Sequence, residues 1–79
     1  MNKLFLVLIE NSCEKHVILA KMVNSFDDVK DIVENISDYM DYDFTSDEVD
    51  ECMGALKNDT CWWFGGDSDA FCIELADLA

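Results

Sequence analysis

The chain has 79 residues, room for one domain with one modest core. At 51% hydrophobic and 11% aromatic it is too apolar for a disordered acidic tail, so a single folded acidic domain over 1–79 is expected. Eighteen acids against five bases, all of them lysines, give a formal net charge of −13 with no arginine. That excludes the basic footprint of a nucleic-acid-binding domain and the guanidinium fork that grips phosphate. Anionic membrane surfaces would repel the chain as well.

The charge is unevenly placed. Residues 1–25 carry Glu10 and Glu14 against three lysines, a net of +1, whereas residues 26–79 carry sixteen acids against Lys30 and Lys57. Eleven carboxylates fall between Asp27 and Glu51 with Lys30 as the one cation among them. The expected partner is therefore basic, for which the groove of a nucleic-acid-binding nuclease or defence complex is the obvious kind; direct binding to nucleic acid or membrane is not expected.

Leu4 to Ile9 is a continuous apolar run and predicts a central strand covered on both faces or nearly so. The opening residues superficially resemble a signal peptide, but the apolar run stops after six residues at Glu10 with no small-residue cleavage site. Asn11 to Lys15 reads as a hairpin loop. His16 to Val23 then reads as the return strand, with Val17, Leu19 and Val23 on one face and Ile18, Ala20 and Met22 on the other.

Ser25 with Asp28 makes an N-cap with an acidic partner, and Phe26, Val29, Ile32, Val33, Ile36 and Met40 mark one helical face. This predicts a helix from about 26 to about 40. A second start follows at Thr45, where Glu48 completes a capping box and Phe44 and Val49 occupy the hydrophobic-staple positions. This helix is expected to bury Val49, Cys52, Met53 and Leu56 and to end near Lys57 and Asn58, with Asn58 taking the left-handed cap. Thr60 to Phe64 is strand-like, Gly65 to Ser68 signals a turn, and Phe71, Ile73 and Leu75 alternate with Cys72 and Glu74 in a last strand. The order is ββααββ, an α+β domain with an antiparallel four-stranded sheet and two helices packed on it.

On the first helix Asp27, Asp31, Glu34, Asp38 and Asp41 are spaced 4, 3, 4 and 3, which sets them on one stripe opposite the apolar face. With about 1.5 Å of rise per residue the stripe is about 21 Å long, a carboxylate every ~5 Å. Phosphates on one strand of B-DNA recur with about 3.4 Å of axial rise, a comparable scale. Asp43, Asp47 and Glu51 extend the patch, with Glu48 and Asp50 beside them. Part of this is ordinary helix chemistry, because acids at a helix start are stabilising, which accounts for Asp27, Asp28, Asp47 and Glu48. Glu34, Asp38 and Asp41, at the negative end of the first helix, are not explained that way.

Tyr39 and Tyr42 lie among the acids and are candidate amphipathic contacts in the same interface. In Trp62-Trp63-Phe64 the middle residue points away from its neighbours, so Trp63 is a candidate interface anchor if it is exposed.

Other constellations are weak. Asp41 to Thr45 opens like a calcium loop, but Ser46 stands where glycine is needed and Cys52 where a bidentate glutamate is needed. Cys13, Cys52, Cys61 and Cys72 are separated by 39, 9 and 11 positions, with no Cys-x-x-Cys and His16 far away in sequence. They read as small hydrophobes, free thiols in a reducing cytoplasm, and no metal or other cofactor is expected. His16 has no nucleophile pattern beside it and solvated carboxylates are poor acid–base groups, so no catalytic residue and no enzyme activity is expected.

In composition the chain resembles phage-encoded DNA-mimic inhibitors, which are small, cytosolic, strongly acidic proteins that occupy the DNA site of restriction or CRISPR machinery. The resemblance is to a type of protein and no family motif accompanies it. It implies an inhibitor that binds a basic nucleic-acid site by phosphate mimicry, through Asp27, Asp31, Glu34, Asp38, Asp41, Asp43, Asp47 and Glu51, in the cytoplasm of a host cell. The alternative is a protein-interaction or homodimerisation module that uses the Trp62–Phe64 strand and carries the acids only as a solubilising face. The protein would then be a monomer or a homodimer.

Overall fold

The computed structural model describes residues 2–10, 14–65 and 70–77. The chain runs β1 (Lys3–Glu10), β2 (Lys15–Val23), α1 (Phe26–Glu34), a 3-10 turn (Ile36–Asp38), α2 (Ser46–Lys57), β3 (Trp62–Phe64) and β4 (Ala70–Asp77). All neighbouring strands are antiparallel, and the sheet order is β2-β1-β4-β3. This is the ββααββ domain expected, with β1 and β4 central. Cys13, most of the first hairpin loop and residues 66–69 of the glycine turn lie outside the described residues.

The core forms between one sheet face and the two helices. Phe5 and Val7 of β1, Val23 of β2 and Ile73 of β4 meet Val29, Ile32 and Val33 of α1 and Val49, Cys52, Met53 and Leu56 of α2. The helix contributions repeat at three- and four-residue spacing, as the amphipathic pattern requires. Leu19, Leu75, Trp62 and Phe64 pack half-buried against the same cluster.

β1 is central as expected, but both described helices pack against the face of Phe5 and Val7. Antiparallel sheets, unlike parallel ones, can leave a face open. On the opposite, open face Leu4 and Leu6 are half-buried, and Leu8 is buried beside Cys72. The outer side chains of β1 are shielded by their neighbours on the sheet, and the exposed apolar side chains of this face stand on the flanking strands β2 and β3.

β2 departs from simple alternation. Val7 pairs with Leu19 but Leu8 pairs with Val17, so Ile18 is an extra residue in a β-bulge. The bulge reverses the parity, moving Val17 from the face of Leu19 and Val23, where alternation put it, to that of Ala20 and Met22.

α1 is shorter than the apolar rhythm predicts. At Asn35 the backbone turns to φ −110° and ψ 30°, and the side-chain amide donates to the Asp31 carbonyl oxygen at 2.8 Å and to Asp31 Oδ1 at 3.3 Å. Asparagine competes for backbone partners in this way and ends helices. Ile36 remains fully buried and Met40 half-buried, so the apolar positions hold while the helix does not.

α2 begins and ends close to where expected. Thr45 Oγ1 accepts from the Glu48 amide at 3.2 Å, and Glu48 Oε1 accepts from the Thr45 amide at 3.0 Å, a complete capping box. At the other end Asn58 is not left-handed (φ −97°); Asp59 is, with φ 58°. Asn58 instead closes the helix by donating its side-chain amide to the Gly54 carbonyl at 2.8 Å. β3 is three residues long, its start delayed because Thr60 folds back on α2, donating its amide and hydroxyl to the Ala55 carbonyl at 3.0 and 2.8 Å.

Candidate functional site

The acids between Asp27 and Glu51 are carried by four successive segments of backbone. Asp27, Asp31 and Glu34 ride on α1, Asp38 closes the 3-10 turn, Asp41 and Asp43 sit on the connection, and Asp47 and Glu51 lie on α2. The single straight stripe of about 21 Å therefore does not exist, because α1 stops at Glu34. The acids instead follow the helix layer as it bends from α1 into α2. All eight are exposed.

The connection is fixed by its aromatics. From Asp41 to Thr45 exposed and half-buried residues alternate, with Tyr42 and Phe44 turned inward and Asp41 and Asp43 turned out. Tyr42 meets Phe64 and Phe71 edge-on, with ring centroids 5.1 and 5.4 Å apart. Phe44 meets Phe64 at 4.9 Å and Trp62 at 5.2 Å, also edge-on. Such pairs add about 0.5–1.5 kcal/mol each beyond the area they bury. Asp41 and Asp43 are thus held on a segment anchored at two rings. Tyr42, a candidate contact, spends its ring on this anchor. Tyr39 is exposed, and the Lys21 ammonium lies 4.7 Å from its ring centroid.

Several acids have local work. Asp28 Oδ2 accepts from the Asn24 amide at 2.9 Å, and the Asp28 amide donates to Ser25 Oγ at 3.2 Å, which closes the start of α1. Glu48 belongs to the capping box, and Asp31 accepts from Asn35.

The cations are just as localised. Lys30 pairs with Glu34 at 3.8 Å across one helical turn and lines an open groove of about 400 Å³ between α1 and α2 with Glu34, Phe44, Ser46, Val49 and Asp50. Lys30 and Lys57 also line a depression that brings Asp27 next to Asp50. Both lysines of residues 26–79 therefore dilute the charge near the start of α1 and the end of α2. A separate depression is lined by Ser37, Met40, Asp41, Tyr42 and Asp43 and includes no lysine. Among the described residues Glu34 is the one candidate acid in an ion pair. The uncompensated part of the surface runs through Asp38, Asp41, Asp43 and Asp47. Sequence spacing alone missed this division, which depends on where Lys30 and Lys57 fold back.

Trp62 and Phe64 face the helices, whereas Trp63 is 48% exposed on the open face of the sheet, away from the core. The acids and Trp63 are therefore not one site. His16 is exposed on the edge strand, with Nε2 2.6 Å from Glu14 Oε2.

Cys52 and Cys72 are buried and Cys61 is half-buried. Burial pushes the Cys52 thiol up to about 12. Cys72 is also raised to about 12, first by burial and then by its hydrogen bond with Cys61. Thiols held neutral in this way are poor nucleophiles. Among the described residues no cluster of three or more His, Cys, Asp or Glu side chains is placed to hold a metal ion, and no helix is long and apolar enough to cross a membrane.

Compared with known proteins, the chain matches no family model, no curated protein and no solved structure.

Proposed function

We propose that this chain is an acidic inhibitor that occupies the basic nucleic-acid-binding site of a partner protein, its carboxylates standing in for phosphates. The observation that supports this reading is the exposure of all eight candidate acids, seven of them without a paired cation among the described residues, on backbone held by caps and ring contacts. A fixed array is preorganised and loses little entropy on docking. In this reading Asp38, Asp41, Asp43 and Asp47 form the centre of the contact, and Asp27, Asp31, Glu34 and Glu51 flank it.

A chain of charge −13 is steered rapidly to a basic groove, with a rate that falls as salt rises. A nuclease or defence complex in a host cytoplasm fits as partner, and an anti-restriction or anti-CRISPR role follows from the resemblance in composition. The chain's own charge disfavours direct binding to nucleic acid or an anionic membrane.

A second reading rests on Trp63, an exposed tryptophan on the sheet face opposite the two described helices. In that reading the chain is a protein-interaction or homodimerisation module and the acids keep it soluble. Paired variants separate the two. Charge reversal at Asp38 and Asp41 abolishes inhibition of the partner nuclease under the first reading and leaves binding intact under the second; Trp63→Ala does the converse.

A further inference from the structure

We infer that the open face of the sheet is the interface of a homodimer in which two copies pack sheet against sheet with their helix layers outward. The inference deepens the second reading of Trp63 and is independent of the acidic surface, so either can fail without the other.

The face is defined by register. Leu4 pairs with Met22, Leu6 with Ala20 and Glu74, and Leu8 with Val17 and with Cys72, the cross-strand partner of Trp63. Residues paired this way point to the same side, opposite Phe5, Val7 and Ile73 of the core. Met22 is 71%, Val17 53% and Trp63 48% exposed, and Ile18, the unpaired residue of the bulge, is 46% exposed. These are four of the five large hydrophobic side chains exposed among the described residues; the fifth, Tyr39, has Lys21 over its ring.

The extent suits a second copy. Four strands at ~4.8 Å spacing and about eight residues at ~3.3 Å give a face of roughly 450 Å² after allowing for the short β3. Two such faces come to about 900 Å² in flat projection, just under the ~1,200 Å² at which standard stable interfaces begin. Interfaces of this size belong to weak, transient association, so a weak dimer is expected.

The charge selects the occupant. The open face carries Glu74 near its middle and the cross-strand partners Glu10 and Lys15 at one end, so it is nearly neutral in a chain of charge −13. It offers no complement to a charged partner, and its best match is another flat, apolar, near-neutral surface. Two copies meeting at this face satisfy that requirement with their inner faces about 10 Å apart. This orientation also keeps the acidic helix layers farthest from each other. The dimer displays an acidic surface on each outer side.

Sedimentation equilibrium or light scattering from about 10 to about 500 μM tests this, the range in which a weak dimer populates. The expected mass rises from 9.0 kDa toward twice that value, more readily in high salt, which screens the acidic layers. Met22→Lys and Val17→Lys alter exposed positions on an edge strand and are expected to keep the monomer's circular dichroism while weakening association at least tenfold. Each also lowers the net negative charge, so general repulsion cannot account for the loss. Asp31→Lys on the helix layer leaves association intact. A mass of 9.0 kDa at every concentration and salt overturns the inference, as does a dimer that both lysine variants leave unchanged. A chain that stays monomeric while Met22→Lys abolishes binding to a different protein assigns the face to that protein and also overturns it.

Discussion

Replacing Asp38, Asp41 and Asp43 together by asparagine should leave the fold as stable or slightly more stable while removing the centre of the proposed contact. The three side chains are exposed, and none makes a hydrogen bond or ion pair among the described residues, so the amide changes charge and little else. Chain reach limits the Cα atoms of Asp41 and Asp43 to about 7 Å apart and those of Asp38 and Asp41 to about 11 Å, and the carboxylates are taken to be separated on the same scale. In water unit charges at those distances repel by about 0.6 and 0.4 kcal/mol. The more distant pair adds roughly 0.2 kcal/mol, for about 1 kcal/mol in all. Because near neighbours also repel in the unfolded chain, the native state retains only part of that. The expected gain is therefore between zero and about 1 kcal/mol at low salt, shrinking at high ionic strength as the Debye length contracts. Urea unfolding followed by tryptophan fluorescence at two salt concentrations measures it. A loss of more than about 1 kcal/mol would refute the reasoning, because a purely solvated acid has no structural contact to lose.

Two further outcomes follow from the same structure. Thr45→Ala removes one half of the capping box that starts α2 and should cost about 1 kcal/mol in urea or thermal unfolding; no change would mean that the box contributes nothing. The raised thiols of Cys52 and Cys72 set an alkaline limit: both are favoured neutral in the folded chain, so their contribution is full below about 9 and is lost as pH rises from about 9 toward about 12. Stability measured across that window should fall, and Cys52→Ala should flatten the fall even though it lowers overall stability; an unchanged slope would contradict the assignment.

The parts legible from sequence are those set by local chemistry. The box at Thr45 and Glu48 is a short-range pattern of hydrogen bonds, and it appears as read. The apolar positions Ile36 and Met40 turn toward the core as their spacing predicts, but that same spacing hides the break at Asn35, whose side chain competes for the backbone of Asp31. That break divides the acids among α1, the 3-10 turn and the connection, and so reshapes the candidate surface. The bulge at Ile18 left no comparable mark, because Val17, Ile18 and Leu19 are all apolar and either parity looks acceptable. The open sheet face was illegible for a related reason. A run such as Leu4 to Ile9 records that both sides of a strand are apolar, and whether a helix or a second molecule covers the outer side is decided at the level of topology.

Phosphate mimicry at a basic site is the central claim, and a salt-series competition tests it most directly. Purified restriction and CRISPR nucleases are titrated with the chain while duplex DNA competes for the same site. The account predicts that at least one binds, that DNA displaces the chain, that affinity falls steadily with rising salt, and that the Asp38, Asp41 and Asp43 amide variant loses roughly tenfold or more, about 1.4 kcal/mol per decade. Binding that is insensitive to salt, that DNA does not displace, or that the variant retains in full would contradict it.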